Sequence, residues 1–81
     1  MEKAQIIETV INLANKHFNK KPGVITESTH IITDLGGDSL DAVELVMSLE
    51  DKFRVTIPED LMESARTIQE ISDVVYKVVN Q

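Results

Sequence analysis

An all-α fold is what the sequence predicts: a four-helix bundle of three longer helices and a short third one, with a long loop between helices one and two. Three observations predict it. Apolar residues recur at helical spacing in three separate segments. No alternating run bounded by hairpin turns is present, and neither is a repeat or a low-complexity segment. Capping patterns stand where two of the helices should begin.

The first helix is expected from about Lys3 to Phe18, where Ile6, Ile7, Val10, Ile11, Leu13, Ala14 and Phe18 share a face. Pro22-Gly23 stops any helix that survives Asn19-Lys20-Lys21. The loop that follows runs to about Asp38. It is polar and rich in Thr and Ser, but Ile25, Ile31 and Ile32 give it anchors into a core, and self-packed loops of this length are often functional. Gly36-Gly37 closes it, and Asp38 follows as an N-cap with Asp41 three residues on. The second helix should span about Ser39 to Phe53. Ile57-Pro58-Glu59-Asp60 leads into a brief third helix, to about Ala65. Thr67 with Glu70 forms a capping box for a fourth helix carrying Ile68, Ile71, Val74, Val75, Val78 and Val79. Its valines lower helix propensity, so this is the helix the sequence supports least.

Eighty-one residues make one domain, 1–81, with a limited core. There is no cysteine, so disulfides and a cysteine nucleophile are excluded, and thiol chemistry would need an attached group. His17 and His30 are too few to suggest a metal site. No apolar run exceeds three residues, so no membrane span or signal peptide is expected, and a cytoplasmic location is the default.

The net charge of −6 is unevenly spread. Residues 1–23 set four lysines against Glu2 and Glu8, whereas residues 24–81 set twelve acids against Lys52, Arg54, Arg66 and Lys77. Nucleic acid is therefore excluded as a partner, since phosphate neutralisation needs the opposite sign. The acids either keep a small protein in solution or steer it to basic protein surfaces.

At 100° per residue, Ala42, Leu45, Val46, Leu49 and Phe53 fall on one face of the second helix. Leu40, Val43 and Met47 fall on the other, among Glu44, Glu50 and Asp51. This outer strip either covers neighbouring helices and the loop, or is a docking surface with an apolar centre and a charged rim. Ser39 stands at its head. A helix N-terminus favours a bound or attached phosphate, and glycines at 36 and 37 would let another protein approach the hydroxyl. For the Asp-Ser-Leu tripeptide taken alone, Ser39 as an ordinary helix-start residue is the better reading. A serine hydrolase is disfavoured, because there is no G-x-S-x-G elbow and nothing places a histidine as base.

The longer segment Asp34-Leu35-Gly36-Gly37-Asp38-Ser39-Leu40-Asp41-Ala42-Val43-Glu44-Leu45-Val46-Met47 resembles the acyl carrier protein signature, and the resemblance continues through Leu49-Glu50-Asp51-Lys52-Phe53 and Ile57-Pro58-Glu59-Asp60. It implies a non-enzymatic carrier that holds acyl intermediates as thioesters on 4′-phosphopantetheine, transferred from coenzyme A to Ser39 by a phosphopantetheinyl transferase, with Asp38 beside it in the recognition site. It further implies partner docking through Leu40, Asp41, Val43, Glu44, Met47, Glu50 and Asp51. The expected partners are fatty-acid synthesis enzymes and acyltransferases with basic surfaces, and the carrier itself should be a monomer. Leu49, Phe53, Ile57 and Ile68 match positions that line or border the family's acyl pocket. Fatty-acid carriers usually read Gly-Ala-Asp-Ser-Leu, whereas Leu35-Gly36-Gly37-Asp38-Ser39-Leu40 is also similar to peptidyl carrier domains. Arg54 and Leu61-Met62 also depart from the acidic or small residues common there. A specialised carrier of a polyketide or nonribosomal peptide pathway is therefore the alternative.

Overall fold

The structure, a computed structural model, describes residues 2–81. Its helices are α1 (Lys3–Phe18), α2 (Ser39–Phe53), α3 (Glu59–Met62) and α4 (Ile68–Val79). Among the described residues there is no strand, only an isolated antiparallel bridge between His30 and Thr67. α1 packs against both α4 and α2, and α3 packs against α4.

Local chemistry fixes the long helices where their patterns begin and end. α1 buries Ile6, Val10 and Ala14, four residues apart on one stripe. It stops at Asn19, which takes a left-handed conformation (φ 55°) and returns its N–H to the Asn15 carbonyl. α2 buries Ala42, Leu45 and Leu49 and ends in the same way at Arg54, φ 56°. α4 buries Ile68, Ile71 and Val75, so its valines are carried by packing rather than by propensity. Each fully buried aliphatic side chain contributes about 1.5–3 kcal/mol, which outweighs the few tenths lost to β-branching.

The third helix is shorter than the sequence predicts. It ends at Met62 instead of continuing to about Ala65. Ala65 is buried, and its N–H reaches only three residues back, to the Met62 carbonyl at 3.2 Å. The Arg66 guanidinium takes the Met62 and Ala65 carbonyls that further helical turns would have used.

The long loop is sewn to the start of α4 by backbone bonds. Ile68 N–H donates to the Thr29 carbonyl (3.0 Å) and Gln69 N–H to that of Glu27 (2.9 Å). Glu70 N–H donates to Thr67 Oγ1 at 3.1 Å. Three of the four N–H groups that a helix leaves unpaired at its N-terminus are thereby satisfied. Ile25 and Ile31 are buried as anchors, and Ile32 packs partly buried against the core. The loop ends by donating Gly37 N–H to the Ile31 carbonyl at 3.0 Å, which delivers the chain to the head of α2.

Candidate functional site

Ser39 is the first residue of α2 and is exposed. The turn before it is held by a reciprocal pair. Asp41 N–H donates to Asp38 Oδ1 (3.0 Å), and Asp38 N–H donates to Asp41 Oδ2 (2.9 Å). The Asp38–Asp41 spacing predicts this box. His17 joins this turn, a partner that no local sequence pattern reveals. Its Nε2 lies 3.0 Å from Asp41 Oδ1 and ties the last turn of α1 to the first turn of α2. Glu44 brings a carboxylate oxygen to the same place, and the three potential ligand atoms lie within 4.8 Å of one another. The hydrogen bond from His17, followed by that from the Asp38 N–H, holds the Asp41 carboxyl below the ordinary carboxylate range.

The two glycines play different parts. Gly36 sits at φ +69°, a left-handed turn that glycine adopts without strain. Gly37 faces inward. A Cβ there would stand 2.7 Å from the Ile31 carbonyl oxygen and 3.1 Å from the Phe18 ring. Its missing side chain therefore makes room for the protein's own interior, which corrects the expectation that both glycines clear space for a partner.

The outer face of α2 is open. Leu40, Val43 and Met47 are 64%, 53% and 58% exposed, so they do not cover a neighbouring helix or the loop. Glu44 and Asp51 are exposed beside them. Two other acids expected on the rim are engaged internally: Asp41 as described, and Glu50, whose Oε2 accepts the Ile57 N–H at 2.8 Å and so holds the start of the α2–α3 connection.

Between α2 and α3 runs an open groove of about 860 Å³, with Ser39 among its lining residues. Ala42, Val46, Ile57 and Met62 supply its apolar wall together with Val43 and Met47 of the outer strip, and Glu50, Glu59, Asp60 and Glu63 its acids. Of the four expected acyl-pocket residues only Ile57 lines this groove. Leu49 and Ile68 are fully buried in the core, and Phe53 packs partly buried against it. Arg66 also lines the groove, a second residue the sequence reading did not single out.

The arrangement suits a phosphodiester on Ser39. The hydroxyl is exposed, and the N–H groups of Ser39 and Leu40, the first two of the helix, have no partner among the described residues. Such groups, together with the helix dipole, favour an attached anion. An apolar groove leads away from the same residue.

Residues 5–75 match a family model described as the phosphopantetheine attachment site. The chain is 42% identical over 65 residues to an acyl carrier protein of Caulobacter vibrioides, covering 80% of this chain and 83% of that one. It is 38% identical over 77 residues to an acyl carrier protein of Syntrophobacter fumaroxidans, covering 95% of each. A third relative, the acyl carrier protein of Phenylobacterium zucineum, is 40% identical over 65 residues, 80% of this chain and 82% of its own.

Proposed function

The chain belongs to the acyl carrier protein family, and from that premise we propose that it is a single carrier domain, 1–81, whose Ser39 bears the 4′-phosphopantetheine arm in fatty-acid or related lipid synthesis. The observation that carries this reading is the placement of Ser39. It is exposed at the first position of α2, above a groove and at the head of an apolar strip edged with acids.

Loading is a phosphoryl transfer performed by a partner. The Ser39 Oγ attacks the pyrophosphate phosphorus that bears the pantetheine of coenzyme A. The P–O bond to the nucleotide half breaks, 3′,5′-ADP leaves, and the hydroxyl proton passes to a base of the transferase. The arm then supplies the thiol that this cysteine-free chain lacks, and the acyl group is held there as a thioester. What the chain itself contributes is an exposed hydroxyl on a fixed turn, free N–H groups for the phosphate, and a surface for docking. Acyl chemistry takes place in partners, and the carrier raises the local concentration of the thioester at each of their active sites.

Docking is assigned to Leu40, Val43 and Met47 as the apolar centre, with Glu44 and Asp51 meeting basic groups on the partner. Asp38, Asp41 and Glu50 act mainly by shaping the turn and the groove edge. The carrier is proposed to be cytoplasmic and monomeric. No helix among the described residues is long and apolar enough to cross a membrane. A dedicated carrier of polyketide or nonribosomal peptide assembly is the second reading, favoured by Gly36-Gly37 before Asp38-Ser39-Leu40. The packing found at Gly37 gives that glycine an internal reason and weakens its value as a pathway marker.

The test is incubation of the apo protein with coenzyme A and a broad-specificity phosphopantetheinyl transferase. One arm should be added, and Ser39→Ala should gain none while keeping its helical circular dichroism. Full modification of the alanine variant overturns the assignment.

A further inference from the structure

The groove beside Ser39 is rimmed with acids, and Arg66 is the one cation among its described lining residues. In a chain with fourteen acids and eight lysines and arginines, a guanidinium in this position would be expected to pair with a carboxylate. It does not. The ion pairs among the described residues are Lys3–Asp73 and His17–Asp41. Arg66 Nη1 donates instead to two carbonyls, those of Met62 (2.8 Å) and Ala65 (3.0 Å). These bonds pin the guanidinium, partly buried, while Nε and Nη2 make no bond to any described residue. A fixed, planar cation with spare parallel donors is the side-chain geometry that takes an oxyanion in a fork.

The backbone keeps Arg66 close to the Ser39 turn. Ile31 N–H donates to the Arg66 carbonyl (2.9 Å), and Gly37 N–H donates to the Ile31 carbonyl (3.0 Å), two residues before Ser39. A single residue of the loop thus bridges the two segments. An anion attached at Ser39 enters the field of Glu59, Asp60 and Glu63 on the same groove, and Arg66 is the charge placed to offset them.

We propose that Arg66 holds an oxyanion presented by the group carried on Ser39. The proposal rests on the attachment reading above. Two sources share this chemistry: the phosphodiester that joins the arm to Ser39, and a carboxylate at the far end of a dicarboxylic acyl cargo. A merely structural Arg66, closing the carbonyls after α3, would respond to neither.

The experiment follows the Arg66 Nε–Hε resonance in 15N-labelled protein and the 31P resonance of the arm, with intact mass certifying complete modification. The forms compared are apo, holo, hexanoyl and adipoyl, the last two matching in carbon number and differing in a terminal carboxylate. A shift of Nε–Hε on conversion from apo to holo, with a displaced 31P resonance in holo Arg66→Gln, identifies the phosphodiester. A shift seen with adipoyl but not with holo or hexanoyl protein identifies the carboxylate. No shift in any fully modified form overturns the proposal and leaves Arg66 as a cap. Should Arg66→Gln fail to fold, the wild-type Nε–Hε resonance decides alone. An unmodified Ser39, read from the mass, overturns the attachment reading and this proposal with it.

Discussion

A methyl group at Gly37 would meet a backbone oxygen 2.7 Å away and the edge of the Phe18 ring. The ring can yield by a few tenths of an ångström, but the Ile31 carbonyl cannot, because it already accepts the Gly37 N–H. Gly37→Ala should therefore destabilise the fold by about 1–3 kcal/mol, the usual range for forcing an extra carbon into packed structure. Urea unfolding of the two proteins measures it, and equal midpoints would mean that the turn has slack. Asp41 and Glu70 yield a second prediction at this scale. Hydrogen bonds from His17 and Asp38 lower the first carboxyl, and the N–H groups of Arg66 and Thr67 lower the second. The unfolded chain thus takes up protons before the folded one as pH falls. The stability these groups contribute is fully present above the ordinary carboxylate range and drains as pH drops through that range toward the lower folded values. Asp41→Asn and Glu70→Gln should each flatten the loss of stability below about pH 5, read from urea midpoints across pH. Much of this was legible in sequence, since the two partners of a capping box stand only three positions apart. The His17 bond was not, because its partners lie twenty-four residues apart and meet only when α1 and α2 pack.

Among the elements, α1, α2 and α4 begin and end where periodicity and caps predict, because those signals are local and each helix carries enough apolar residues to be held. The third helix is four residues long, and its end depends on a side chain, Arg66, reaching back to carbonyls. Nothing in helical periodicity encodes that. The pairing of the loop with the start of α4 was equally hidden, since it runs between main-chain groups some forty residues apart. The outer strip of α2 was legible by angle, and its exposure removes the reading in which it covers neighbours. If it is the docking face, Glu44→Lys and Asp51→Lys should lower kcat/KM of a partner ketosynthase or transacylase about tenfold at low salt, with the loss shrinking as salt is added. Stability should change by no more than about 1 kcal/mol, since both side chains are exposed. Val43→Ala and Met47→Ala should instead shorten the life of the complex. Unchanged kinetics in all four variants would exclude this face.

For the whole molecule, the question is where a carried chain goes. The open groove reaches Ile57 and Met62, but Leu49 and Ile68 behind them are fully buried. A medium-length chain entering from Ser39 must part the core there. Burial contributes at most about 0.8 kcal/mol per CH₂, and opening packed side chains takes back a share of it. Met62 is suited to yield, because an unbranched thioether repacks readily. Octanoyl protein should accordingly melt at least about 4 °C above the holo form, the shift that roughly 1 kcal/mol produces in a domain of this size. Amide exchange should slow across residues 57–68. Equal melting and equal exchange would mean that the chain stays in solvent, as a carrier of polar peptidyl cargo would show.

The expectations about docking and cargo depend on Ser39 being the residue that carries the arm. The most direct measurement is the intact mass of the protein isolated from its native cells, before and after mild thioester cleavage, with the modified peptide mapped by fragmentation. One phosphopantetheine is expected on the peptide containing Ser39, with a further mass released on cleavage. An unmodified Ser39 in cells that hold an active transferase, or an arm mapped to any other residue, would contradict it.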